Sequence, residues 1–69
     1  MKIKVNGVEK LINNSNKDLT LTEVLSHLGY RDNTIIVELN NLIVNNKSWK
    51  ENNVKDGDKL EIVSIVGGG

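Results

Sequence analysis

Polar and apolar positions alternate from the first residues of the chain. Lys2-Ile3-Lys4-Val5 has the period of two expected of a half-buried strand. Asn6-Gly7 follows, two residues that tolerate positive φ and so favour a type I′ hairpin turn. Val8 to Ile12 then predicts the returning strand, and the polar stretch Asn13 to Asp18 a loop. The period changes at Thr20. Leu21, Val24, Leu25 and Leu28 recur at the spacing of one helix face, Thr20 and Glu23 have capping-box spacing ahead of them, and Gly29 stands where a left-handed residue stops a helix. His27 falls off the apolar stripe and is read as facing solvent. Ile35 to Leu39 predicts a strand, Asn40-Asn41 a turn, and Leu42-Ile43-Val44 a short strand behind it. Asn45 to Asn53 is polar apart from Trp49, read as a satellite core residue folded back onto the domain. Asp56-Gly57-Asp58 is turn chemistry, and Lys59 to Val66 is the final strand, before Gly67-Gly68-Gly69.

A hairpin joined through one helix to further strands is incompatible with a helical bundle and has too few strands for a sandwich. The economical packing is a mixed sheet with the helix across one face. A right-handed crossover sets the last strand parallel to the first in the sheet centre. The expected class is therefore α+β, a β-grasp with a mixed sheet of four to five strands and one helix. Residues 1–66 form the domain and 67–69 a flexible glycine tail. Period-two geometry places Leu60 and Ile62 beneath the helix, against Leu25 and Leu28. Glu61, Val63 and Ile65 then lie on the open face, with Lys4 and Glu38 as neighbours. A mixed surface with an apolar centre beside a tail is where a partner docks.

Composition narrows the function further. A chain of 69 residues holds one small domain, which buries only about 60% of its unfolded surface and needs every apolar position it has. With no cysteine there is no disulfide, no thiolate zinc site and no thiol nucleophile. Nine basic residues balance nine acidic ones, which argues against nucleic acid, as does the scarcity of aromatic rings for base stacking. No apolar run approaches the roughly 20 residues needed to span a bilayer, and no signal-peptide pattern opens the chain, so a cytoplasmic protein is expected.

Little in this composition supports catalysis. Ser15, Ser26, Ser48 and Ser64 have no evident base beyond His27, the single histidine. Asp56 and Asp58 flank a turn glycine, which is turn chemistry more often than an acid/base pair. No catalytic residue and no metal ligand set is assigned. The glycines remain. Having no Cβ, they pass extended through a slot too narrow for other residues and leave a terminal carboxylate open to attack. A bare glycine tail is also what a frayed terminus or an expression remnant looks like. A carboxylate becomes reactive once another enzyme converts it to a mixed anhydride with a good leaving group.

The ordered set Val37-Glu38-Leu39-Asn40-Asn41-Leu42-Ile43-Val44, Trp49, Val54-Lys55-Asp56-Gly57-Asp58, Leu60-Glu61-Ile62 and Val66-Gly67-Gly68-Gly69 resembles the ThiS family of thiamine-biosynthesis sulfur carriers, within the ubiquitin-like superfamily. One departure is Asn45-Asn46, where many members carry Pro-Arg, which bears on loop rigidity and on any arginine contact. The resemblance implies that Gly69 is adenylated by an E1-like enzyme, that sulfur originating from a cysteine desulfurase replaces the adenylate to leave a thiocarboxylate, and that thiazole synthase takes that sulfur. Gly68 and Gly67 would thread partner active sites, while Val63, Ile65 and Glu61 would form the partner surface. It implies no bound cofactor, ATP being used by the activating partner, and a free monomer. Three alternatives stay open: the related carrier of molybdopterin synthase, a modifier joined to lysines through Gly69, and a binding domain with an adventitious tail.

Overall fold

The computed structural model describes residues 1–12, 18–31 and 34–65. Its main sheet has five strands: β1 (Lys2–Val5), β2 (Val8–Leu11), β4 (Ile35–Leu39), β5 (Leu42–Val44) and β7 (Lys59–Ser64), in the order β2-β1-β7-β4-β5. β1 and β7 run parallel, and β1–β2, β4–β5 and β4–β7 are antiparallel. One helix, α1 (Leu21–Leu28), covers one face. This is the β-grasp arrangement, with the last strand at the centre as the crossover rule predicts.

Local chemistry sets the ends of these elements. Asn6 and Gly7 have φ of 51° and 83°, as a type I′ turn requires. Asn40 and Asn41 repeat the device between β4 and β5, at 51° and 75°. α1 begins on a complete capping box: Thr20 Oγ1 accepts from Glu23 N at 3.2 Å, and Glu23 Oε1 accepts from Thr20 N at 2.8 Å. It ends on Gly29 at φ 88°, whose N–H reaches back to the Leu25 and Ser26 carbonyls.

The hydrogen bonds from the Thr20 backbone and hydroxyl, and then the nearby His27, hold the Glu23 carboxyl below its ordinary pKa. A lowered folded-state pKa adds stability that is complete above the unfolded value, about 4.3, and is lost as pH falls through the folded value. Glu23→Gln is therefore expected to lower the melting temperature slightly at neutral pH. The gap from wild type should close on acidification below about pH 4; a gap that is constant in thermal melts from pH 7 to pH 3 would show that ionised Glu23 contributes nothing.

The core is a single cluster: Ile3, Val5, Ile12, Leu21, Val24, Leu25, Ile35, Val37, Trp49, Val54, Leu60 and Ile62. Trp49 is thus no satellite. It is 3% exposed within the main core and donates its indole N–H to the Val44 carbonyl at 2.9 Å, so its polar handle is satisfied. The polar segment around it forms a 3₁₀ helix, Asn46–Glu51. It is followed by β6 (Asn53–Val54), antiparallel to β3 (Leu19–Thr20) in a second, two-stranded sheet. Asn45 caps the 3₁₀ helix by accepting from Lys47 N at 3.0 Å. At the departure from Pro-Arg, a side-chain cap therefore shapes the loop. The return strand stops at Leu11, and Ile12 is buried beyond it while exchanging two backbone bonds with Met1. Among the described residues no helix is long and apolar enough to cross a membrane.

Candidate functional site: the central strand and its open face

β7 is held along its whole length. At its start, Lys59 N donates to Asn40 Oδ1 at 3.0 Å, while Asn40 N donates to the Lys59 carbonyl at 2.8 Å. Asn40 Nδ2 donates to Asp58 Oδ1 at 3.1 Å, and Asp58 Oδ2 accepts from Lys55 N at 2.8 Å. Asp56 Oδ1 accepts from Lys2 N at 2.7 Å. Both aspartates of the Asp-Gly-Asp turn are thus engaged in fixing backbone, as turn chemistry predicts.

Further along, Lys4 N donates to the Asp58 carbonyl at 3.0 Å and Asn6 N to the Leu60 carbonyl at 2.9 Å. β1 ends there, and the Asn6 side-chain amide takes over. Its Oδ1 accepts from Ile62 N at 2.7 Å and its Nδ2 donates to the Ile62 carbonyl at 3.1 Å. One carboxamide thus copies a backbone peptide and carries the parallel ladder one rung further. At the far end Ile65 N donates to the Thr34 carbonyl at 2.7 Å. Asn6 and Asn40 look in the sequence like turn formers only; their second role depends on which strand lies beside each turn.

The two faces of β7 differ as the alternation predicts. Leu60 and Ile62 are buried under α1 with Leu25, and Leu28 packs half-buried against the same cluster. Val63 and Ile65 are 59% and 50% exposed on the other face, and Glu61 is half-buried there. Pairing places the expected Glu38 on this surface and adds Ile36 and Ile43, which the sequence pattern did not single out. Ile36 lies opposite Val63, and Glu38 lies between Glu61 on one side and Ile43 on the other. Ile36 and Ile43 are 45% and 71% exposed. Ile43, Ile36, Val63 and Ile65 therefore form an apolar strip across the open face, ending where the chain leaves the sheet. Isolated apolar side chains on a surface are ordinary; neighbouring ones on a single face are less so. Gly67, Gly68 and Gly69, expected to be the working tail, lie outside the described residues, as does Val66.

On the helix side, a groove of about 490 Å³ is lined by Thr22, Leu25, Ser26, Tyr30, Arg31, Thr34 and Trp49. It holds hydroxyls and one guanidinium but no acid/base pair. His27 is exposed on α1, as expected from its place off the stripe. Among the described residues no group of three or more His, Cys, Asp or Glu is placed to hold a metal ion.

Comparison with known proteins agrees with this architecture. The crystal structure of the thiamine biosynthesis protein ThiS from Geobacter metallireducens superposes with a TM-score of 0.83 at 33% identity, over all of both chains. A protein of Trieres chinensis named ycf40, itself uncharacterised, is 35% identical over 94% of this chain and 85% of its own length. A thiazole synthase of Paramagnetospirillum magneticum is 41% identical over the whole of this chain, which spans only 20% of that enzyme. The family model for ThiS matches residues 3–69. With the fold, the central strand and the terminal glycines all in place, the chain belongs to the ThiS family.

Proposed function

We propose that this protein is a cytoplasmic sulfur carrier for the thiazole moiety of thiamine, and that its working group is the carboxylate of Gly69. The observation that carries this reading is the position of β7. The strand that leads to Val66-Gly67-Gly68-Gly69 is the central strand of the sheet, clamped from both sides and flanked on its open face by an apolar strip. A partner that docks on Val63, Ile65 and Glu61 meets a rigid body whose central strand leads toward the tail. Orienting a reacting group in this way removes much of the entropic cost of bringing it into a second protein's active site.

In this reading the carrier is a cosubstrate, with no catalytic residues of its own. An E1-like enzyme uses ATP to form the Gly69 acyl-adenylate, releasing pyrophosphate. The outer sulfur of a persulfide, supplied by a cysteine desulfurase, attacks the acyl carbon and expels AMP, the good leaving group. A thiol then reduces the acyl disulfide, leaving the thiocarboxylate and a disulfide, and the thiocarboxylate donates its sulfur to thiazole synthase. Gly67 and Gly68 give a thin, side-chain-free approach. The lack of cysteine leaves no thiol on the carrier to intercept the sulfur.

The test is mass spectrometry of the intact protein after incubation with the activating enzyme, ATP and a sulfur donor. The expected result is a gain equal to replacing one oxygen by sulfur, located in the C-terminal peptide. An unchanged mass under conditions that load another ThiS protein would refute the carrier role. A lysine-linked adduct through Gly69 would identify a modifier instead.

A further inference from the structure

The open face of β7 is graded in chemistry along the strand. Lys59 lies beside Lys4, then Glu61 beside Glu38, then Val63 beside Ile36, and lastly Ile65 beside Thr34. The second of these rows is unusual. Glu38 and Glu61 are direct cross-strand partners on one face and both are half-buried. Side chains so placed have Cβ atoms about 5 Å apart, and like charges there are destabilising. Among the described residues the one ion pair is Lys2–Glu9, at 4.0 Å; neither Glu38 nor Glu61 has a cation within that distance. Lys4 and Lys59 lie one row away, facing each other. The acidic row is bordered by Ile43 on one side and by Ile36 and Val63 toward the tail. Two carboxylates thus face each other between this apolar border and the two lysines, and neither has a cation within ion-pair distance.

We propose that the Glu38–Glu61 pair receives one cationic side chain, an arginine, from the surface of thiazole synthase as the tail is delivered. This rests on the carrier reading above. The arginine fork offers several N–H donors in one plane and can bridge two carboxylates, which an ammonium does less well. The isoleucine and valine rim excludes water around the pair, and this strengthens each charge-assisted bond. Thiazole synthase is the occupant because the Paramagnetospirillum magneticum enzyme contains a stretch resembling this whole chain within its own polypeptide. There, a domain of this kind is tethered to the enzyme it would serve. The repulsion within the free carrier is relieved only in that complex, so the pair trades stability of the free protein for selectivity toward a basic partner.

The experiment compares wild type with Glu38→Gln, Glu61→Gln and the double variant, using purified thiazole synthase from the same genome. Affinity is measured by calorimetry at low and high salt, alongside thermal melts and the thiocarboxylate mass assay with the activating enzyme. The double variant is expected to melt at or above the wild-type temperature. It should bind thiazole synthase about ten-fold or more weakly, with a flatter salt dependence. Three results would overturn the proposal: unchanged affinity and salt dependence, a melting temperature lowered by several degrees, or a defect confined to sulfur loading, which would assign the pair to the activating enzyme. Failure of wild type to acquire sulfur at all would instead defeat the carrier reading, independently of Glu38 and Glu61.

Discussion

Trp49→Ala is expected to leave most of the protein unfolded at 25 °C. Truncating a buried tryptophan costs about 3–5 kcal/mol through lost burial and the cavity left behind. The total stability of a 69-residue domain is of the same order, roughly 3–10 kcal/mol. Trp49 is 3% exposed in a core with no disulfide to support it. It also joins the 3₁₀ helix to β5 through the indole bond to the Val44 carbonyl, so both links fail together. Trp49→Phe separates the two contributions. It keeps most of the apolar volume but removes the indole hydrogen bond, a loss of about 0.5–1.5 kcal/mol. Far-UV circular dichroism with urea titration measures both. A cooperative Ala variant within a few degrees of the wild-type melting temperature would mean that the core closes without this ring.

Removal of Gly68 and Gly69 is expected to give the opposite pattern, a folded protein with no carrier activity. Among the described residues the buried core lies between Ile3 and Ile62, so thermal melts should match wild type closely. Thiazole formation depends, in the proposed mechanism, on a carboxylate presented four residues beyond Ile65 and free of side chains. A shortened chain ends in Gly67 and presents its carboxylate about 7 Å short. Complementation of a strain that requires thiamine reads the effect. Growth equal to wild type would show that the glycines are not the working group.

Much of this architecture is legible in the chain because local and long-range signals agree. The Asn6-Gly7 turn, the Thr20–Glu23 capping box, the Gly29 stop and the alternation of β7 each specify backbone geometry by their own chemistry, and tertiary packing contradicts none of them. The parts that escaped have different causes. β3 and β6 are two residues each, too short to show any period. The 3₁₀ helix carries no apolar stripe, since only Trp49 of its six residues is buried. Glu38 was expected on the face of Glu61, but their direct pairing depends on the register between β4 and β7, which lie about twenty positions apart and are set together by packing rather than by a turn. The proposed partner surface was likewise half visible. Val63, Ile65 and Glu61 follow from one strand's alternation, whereas Ile36 and Ile43 join them only through pairing.

The amide of Asn6 has a mechanical consequence. In the proposed mechanism, a partner that draws the tail into its active site pulls along the axis of β7. β1 lies parallel to that strand and β4 antiparallel, so the load falls as shear on both ladders at once instead of peeling bonds one at a time. Ile62, the last residue of β7 in the core, is tied to the N-terminal hairpin by the two bonds from Asn6. Tension on the C-terminus is therefore passed to the opposite end of the chain, and the body of the domain can hold firm while its last residues are stretched.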